Sequence, residues 1–378
     1  MILHTPQNTQ EVRDLVSDAL AGGGKLEITG GATRLAFGAP DRQADRLSLA
    51  ALSGILEYDP AELVLTARAG TALAELNEAT AAQGQALAFE PWGAAGSTIG
   101  GVVAAGVSGP RRVSAGAVRD HLLGFEAVSG RGDSFRAGAK VVKNVTGYDL
   151  PKLVCGSWGR LAALTEVTLK VLPRPPECQT LLWRGLEDEA GFALLREAMR
   201  QPVDAAAASY LPGHAALVRL DGFGPSVAAR KAHLTTALER YGLPDVLDAH
   251  EAAPLWASLR DGAALAPELP LWRLSLPPRQ ALAAIAPLLA LGGRYVADWA
   301  GGLIWLVLEG HEDIVRAQAA LAGGHATLAR APAALRARIP ALHPQPPAIE
   351  ALSRRVRRAF DPMGVFEINR FLDEPNAD

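Results

Sequence analysis

Apolar positions recur at helical spacing near the start of the chain. Val12, Leu15, Val16, Ala19 and Leu20 form one stripe, with Thr9 as the expected N-cap and Gly22-Gly23-Gly24 as the stop. Lys25–Thr29 then alternates as a short strand does, and a Gly-Gly turn follows it directly. Glu62 to Gly70 reads as a second strand; Thr71 is placed to cap the next helix, Leu73 and Leu76 to face inward, and Gly84 to end it. From Asp120 onward the pattern predicts two strands around Gly130-Arg131-Gly132-Asp133, a hairpin signal, and a further strand over Leu161–Pro173. Pro173 to Glu177, rich in proline, is the expected domain boundary. Beyond it, strand–turn–helix patterns, among them the strand Gly302–Gly310 and a helix near Glu312–Ala322, predict a smaller α+β domain with helices on one face. A last helix carries Ile349, Leu352, Val356 and Phe360 as an apolar docking stripe, with Arg354, Arg355, Arg357 and Arg358 mainly on its other faces.

Two glycine-rich loops interrupt this pattern. Gly30-Gly31-Ala32-Thr33 follows a strand, where consecutive backbone N–H groups either close a plain tight turn or form a nest for phosphate oxygens; Thr29 and Thr33 add hydroxyl donors. The stretch from Gly96 to Pro110 holds five glycines and no charge. It is too broken for a good helix and too glycine-rich for a good strand, and its bare backbone suits close approach to a flat or anionic ligand. The charge-free run Pro91–Pro110 reaches membrane length, but its prolines and glycines argue against a membrane span.

Composition narrows the options. With 49% hydrophobic and 20% charged residues among 378, large packed cores are expected and general disorder is not. A net charge of -3 gives no drive toward nucleic acid. Two cysteines, Cys155 and Cys178, are too few for a disulfide framework or a cysteine-held iron–sulfur cluster. The amino-terminal stretch lacks the basic region and apolar run of a signal peptide, so a soluble, cytoplasmic chain is expected. There is no phosphate-binding P-loop, no Rossmann glycine fingerprint and no serine nucleophile elbow, and the eight histidines show no metal-binding spacing.

The segment Lys140–Pro173 contains K-N-V-T-G-Y-D-L, then G-S-W-G-R-L and T-E-V-T-L-K. Together with G-G-A-T-R-L and P-W-G-A-A-G-S-T-I-G-G, it resembles the FAD-binding domain of the vanillyl-alcohol oxidase and p-cresol methylhydroxylase (PCMH-type) family, and within it the FAD-binding subunits of glycolate oxidases. The closing F-D-P-M-G-V-F-E-I-N-R resembles that family's last segment. The resemblance implies an α+β fold: a PCMH-type FAD-binding domain of two α+β subdomains over 1–173, a smaller α+β cap domain over 178–342, and a tail, 343–378, returning to the first domain. It implies FAD, with Thr29 to Thr33 (Gly30, Gly31 and Ala32 between them) as the first pyrophosphate loop. Pro91, Gly96, Ser97, Thr98, Gly100 and Gly101 would line the second loop and the flavin ring, Ser108, Gly109 and Arg119 would continue the site, and Asn369 would lie near the flavin edge. Tyr148 and Asp149 are expected to fix the subdomain junction.

Three departures shape the expectation. No histidine stands in the first loop, so non-covalent FAD is expected. Trp158 occupies a position where related catalytic chains carry glutamate, and no paired-histidine motif for substrate and metal is present. The implied function is the FAD-binding subunit of a glycolate-oxidising complex, working on a small 2-hydroxy acid with a catalytic flavoprotein subunit and an iron–sulfur subunit, peripheral to the membrane through those partners. A stand-alone FAD-dependent 2-hydroxy-acid dehydrogenase and a non-catalytic structural subunit are the alternatives. No catalytic residue is assigned; Arg273 and Arg294 are candidates for holding a substrate carboxylate.

Overall fold

The computed structural model describes residues 1–40, 42–93, 95–139, 147–260, 262–263 and 265–372. The chain folds into two compact units. One comprises Met1–Ser108, Gly116–Arg174 and the segment from Pro344 onward; the other comprises Gly109–Ala115 and Pro175–His343.

The first unit has two cores. In the first, the strands Leu3–His4, Asp45–Ser48 and Leu26–Thr29 form a parallel sheet in that spatial order. The helix Thr9–Gly22 belongs to the same core, burying Val12 and Val16 among Leu26, Leu47, Val365 and Phe366. Its cap is Asn8 rather than Thr9: the Asn8 side chain accepts the Glu11 N–H at 3.0 Å, which makes Thr9 the first helical residue. Val365 and Phe366 come from the tail. There Asp361, 3% exposed, accepts both their N–H groups at 2.8 Å, so a carboxylate shapes the turn that seats these side chains.

The second core lies under a five-stranded antiparallel sheet, ordered Ile55–Asp59, Val64–Arg68, Ala162–Lys170, Leu122–Ser129 and Ser134–Gly138. Leu65, Ala67, Leu164, Val167 and Leu169 are among its buried residues. The helix Leu73–Ala82 packs Leu76 inward but has no side-chain cap. Thr71, expected there, instead donates to the carbonyls of Gly54 and Arg68 and accepts the Gly54 N–H. Its hydroxyl pins the turn that precedes the helix.

In the second unit, one eight-stranded antiparallel sheet runs Asp245–Leu247, Glu177–Arg184, Ala215–Gly222, Ala207–Leu211, Arg294–Asp298, Leu303–Val307, Leu271–Ser275 and His325–Arg330. The helices Asp188–Ala198, Gly224–Ala237, Ala281–Ala290 and Glu312–Leu321 cover one face, over Trp183, Phe192, Tyr210 and Trp272. Burying a side chain of this size contributes about 1.5–3 kcal/mol.

The last helix, Pro347–Phe360, buries none of its residues. Ile349 and Leu352 of the expected docking stripe are 46% and 53% exposed, and only Phe360, beside Phe135, makes a ring contact. Among the described residues no helix is long and apolar enough to cross a membrane.

Candidate functional site

The site starts at the end of the strand Leu26–Thr29. The chain turns there through Gly30, Gly31 and Ala32, with Ala32 in the left-handed region at φ 54°. Among the described residues, none of the four N–H groups from Gly30 to Thr33 donates a hydrogen bond within the protein. The Thr29 hydroxyl beside them is buried and also has no partner. Buried polar groups without partners are rare, so five unused donors side by side make an anion cradle.

The second loop locks against the first. A Cβ on Gly30 would fall 2.1 Å from Thr98 Oγ1, and one on Gly31 would fall 1.7 Å from the Gly96 carbonyl oxygen. The Thr33 and Ser97 hydroxyls meet at 3.1 Å. Only two residues without side chains let the loops approach so closely.

Beyond Thr98 the stretch expected to be neither helix nor strand is a helix, Ile99–Ala105. Thr98 accepts the Gly101 N–H at its start, and Gly106, at φ 65°, ends it. Burial of Ile99, Val102 and Val103 in the second core outweighs the poor helix propensity of Gly100 and Gly101. The two glycines have different duties. A Cβ on Gly100 would meet Ala69 Cβ at 2.7 Å, so Gly100 serves packing; a Cβ on Gly101 would meet only Thr98 Oγ1, at 3.3 Å, and opens outward.

Between these loops lies a cleft of about 810 Å³, open solvent at its mouth included. Ile28 and Leu49 of one core and Ala69, Val102, Ala162 and Leu164 of the other give it apolar walls. Trp158, in the left-handed region at φ 56°, lines it too and stacks on Phe37 at 4.0 Å. Arg34 lies 3.7 Å above the Trp92 ring and donates to the Trp92 carbonyl.

One buried charge cluster stands behind the loop. Glu27, 3% exposed, accepts from Arg42 and from Arg370 at 3.0 Å, and Arg46 lies at 3.7 Å. Arg370 lines the cleft. Burial, reinforced by Arg42 and opposed by Glu27, pulls its guanidinium down to about 10, which leaves it charged at neutral pH. Among the described residues lining the cleft there is no histidine, cysteine, aspartate or glutamate.

The structure brings nine of the expected residues onto the cleft wall: Thr29, Gly30, Gly31, Ala32, Thr33, Ser97, Thr98, Gly100 and Gly101. Six others stand elsewhere. Pro91 precedes the wall residue Trp92, and Gly96 stands behind the wall with its carbonyl against Gly31. Ser108 is 2% exposed and accepts the Val118 N–H, capping a short helix. Gly109 belongs to the second unit and accepts the Trp299 indole N–H. Arg119 is exposed and pairs with Asp120 at 3.8 Å. Asn369 is exposed, in a left-handed turn at φ 58° that brings its neighbour Arg370 inward instead. Tyr148, expected at a junction, is 92% exposed; Asp149 caps the helix Leu150–Val154. Lys143–Thr146 of the K-N-V-T-G-Y-D-L run lie outside the described residues.

The cleft wall also includes Trp92, Trp158, Arg34 and Arg370, none of them marked as a binding residue by a motif; Trp158 stands at the departure from the family pattern and Arg370 beside Asn369.

Comparison with known proteins agrees with this geometry. The FAD binding domain family model matches residues 2–138. The glycolate oxidase subunit GlcE of Escherichia coli K12 is 35% identical over 370 residues, 97% of this chain and 98% of that protein. The chain belongs to the GlcE family. Glycolate oxidase subunit GlcD of Bacillus subtilis is 32% identical over 178 residues, 47% of this chain and 38% of that one. A D-lactate dehydrogenase of Archaeoglobus fulgidus is 34% identical over 171 residues, 45% of this chain and 38% of that one. The likeness to GlcE thus runs end to end, whereas the other two share less than half of this chain. A solved alkyldihydroxyacetonephosphate synthase superposes with a TM-score of 0.69 at 15% identity, over 97% of this chain and 76% of that one, which shows a shared fold.

Proposed function

We propose that this chain is the FAD-binding subunit of a glycolate oxidase, acting beside a catalytic flavoprotein subunit and an iron–sulfur subunit. The observation that carries the reading is the end-to-end likeness to GlcE, 35% over 97% of the chain. The cleft fits the cofactor: the free N–H groups of Gly30 to Thr33 and the Thr29 hydroxyl suit a pyrophosphate, and the open side of Gly101 leaves room for a flat ring. Arg370 adds a positive charge on the same wall. Bound FAD would supply hydride-accepting chemistry; the chain's residues bind it, orient it and exclude water. The absence of histidine and cysteine from the described lining residues favours non-covalent attachment.

The same lining favours a division of labour. Oxidation of a 2-hydroxy acid needs a base for the hydroxyl proton, and arginine does not serve as one. The cleft's only charged lining residues among those described are Arg34 and Arg370. The reading therefore places turnover in the complex rather than in this chain alone, peripheral to the membrane through its partners. Purified alone, the chain is expected to show flavin absorption and no glycolate-dependent dye reduction; co-purified with both partners it restores the activity. Dye reduction by the isolated chain would establish a stand-alone dehydrogenase. A colourless, folded chain that still assembles would establish a structural subunit.

A further inference from the structure

The face of the eight-stranded sheet opposite the four-helix layer, where the helix Ala249–Arg260 also packs through Trp256 on Thr180, carries unusual chemistry. Four arginines gather there or on the segment Gly109–Ala115 of the same unit, Arg111, Arg112, Arg219 and Arg273, with two carboxylates, Asp221 and Asp298. Both carboxylates have donors of their own, and the charge of Asp298 also acts on Arg273, opposing the effect of burial there. Asp221 accepts from Arg219 at 2.8 Å and pairs with Arg111 at 3.2 Å. Asp298, 1% exposed, accepts from the Ser209 hydroxyl at 2.6 Å and the Trp299 N–H at 2.7 Å.

Arg273 is left over. On its strand, Trp272 and Leu274 enter the helix-covered core, so alternation turns Arg273 to the other face, opposite Trp305 and Thr327. Its Nε is buried without a partner, and among the described residues no hydrogen bond or ion pair reaches its guanidinium. It rests instead 5.0 Å from the Trp299 ring and 6.0 Å from Trp305. Arg112 lies 4.6 Å over the same Trp299 ring. Burial first, and then repulsion from Arg112, brings Arg273 down to about 10 against the opposing pull of Asp298, so it stays charged at neutral pH. Trp299 and Ala300 hold left-handed backbone, φ 51° and 55°, which non-glycine residues rarely adopt. A cation so placed is costly unless an anion completes it.

We propose that Arg273, on the shelf formed by Trp299 and Trp305, binds the carboxylate of a small carboxylic acid. The planar guanidinium matches a carboxylate with two parallel hydrogen bonds, and the indole faces fix its plane without neutralising it. Arg273 retains partial exposure, so a small acid reaches it, while the 8% and 0% exposed tryptophans disfavour a strongly hydrated dianion. Arg294, the other candidate of the sequence, is exposed at its strand end. The choice of glycolate as the acid rests on the function proposed above; the site itself does not.

Calorimetric titration of the full chain with glycolate tests this, with ethylene glycol as the carboxylate-free control and sulfate as the dianion. Saturable glycolate binding is expected, with none for ethylene glycol and at least tenfold weaker binding for sulfate. Arg273→Met should abolish glycolate binding, and Arg273→Lys should weaken it about tenfold. Without ligand, Arg273→Met should leave the melting temperature unchanged or raise it, because it removes a half-buried charge that no hydrogen bond holds. Failure of wild-type chain to bind glycolate, equal binding of sulfate, or unchanged binding by Arg273→Met overturns the proposal; a fall in melting temperature would mark Arg273 as structural and overturn it also. Flavin content, read from the visible spectrum of the same samples, reports separately on the cofactor reading.

Discussion

Glu27→Gln separates the roles of the two arginines that meet behind the cofactor loop. Arg42 has other acceptors, donating to the carbonyls of Ala39, Leu35 and Phe37. Arg370 leans on Glu27 at 3.0 Å, its Nε is buried without a partner, and its side chain is 10% exposed. Removing the glutamate charge strands a guanidinium in a place where breaking a buried pair costs about 3–5 kcal/mol. For a domain of roughly 150–250 residues, where 1 kcal/mol moves the midpoint about 2–4 °C, that is about 6–20 °C. Scanning calorimetry of wild type, Glu27→Gln, Arg370→Met and the double variant measures the effect and the coupling. The double variant should recover most of the loss, since its stranded charge is gone. A loss below about 1 kcal/mol in Glu27→Gln, the size seen for exposed pairs, would refute the reasoning.

Three further outcomes follow from the same geometry. Gly31→Ala forces a Cβ against the Gly96 carbonyl oxygen, 1.7 Å away, so both flavin content and melting temperature should fall; a normal melting curve would count against the interlocked loops. Thr29→Val removes a buried hydroxyl without a partner, so the flavin-free chain should gain about 1–3 kcal/mol while FAD binding weakens about 10–100-fold, read by calorimetry and flavin titration. Burial pushes the Cys178 thiol up to about 12, against the pull of Arg219, so at pH 8 iodoacetamide should leave it unmodified in the folded chain and alkylate it after unfolding, as mass spectrometry would show.

Local patterns carried much of the fold. The strand at Leu26–Thr29, the hairpin of Leu122–Ser129 with Ser134–Gly138, and the strand Ala162–Lys170 follow from alternation and glycine turns. Helix Ile99–Ala105 defied its own composition, because burial in the second core decides there and burial is not written locally. The C-terminal helix shows the reverse failure: a regular stripe predicted docking, yet most of it faces solvent. In the site, glycines were legible as turns, but their duties were not. Gly30, Gly31 and Gly100 make room for protein, and Gly101 alone of these opens outward. Arg370 and Trp158 reach the cleft from segments distant in sequence, which no spacing rule connects to Thr29.

The central claim is that FAD lies in the cleft walled by Gly30–Thr33 and Thr98–Gly101. Gly101→Trp tests it most directly, because Gly101 lines the cleft at a helical position where glycine is a poor helix former and an added Cβ meets only the Thr98 hydroxyl, at 3.3 Å. The visible spectrum of the purified wild-type chain should show flavin bands that denaturation releases into solution. Gly101→Trp should be colourless with an unchanged or raised melting temperature, whereas undiminished flavin bands in that variant would contradict the account.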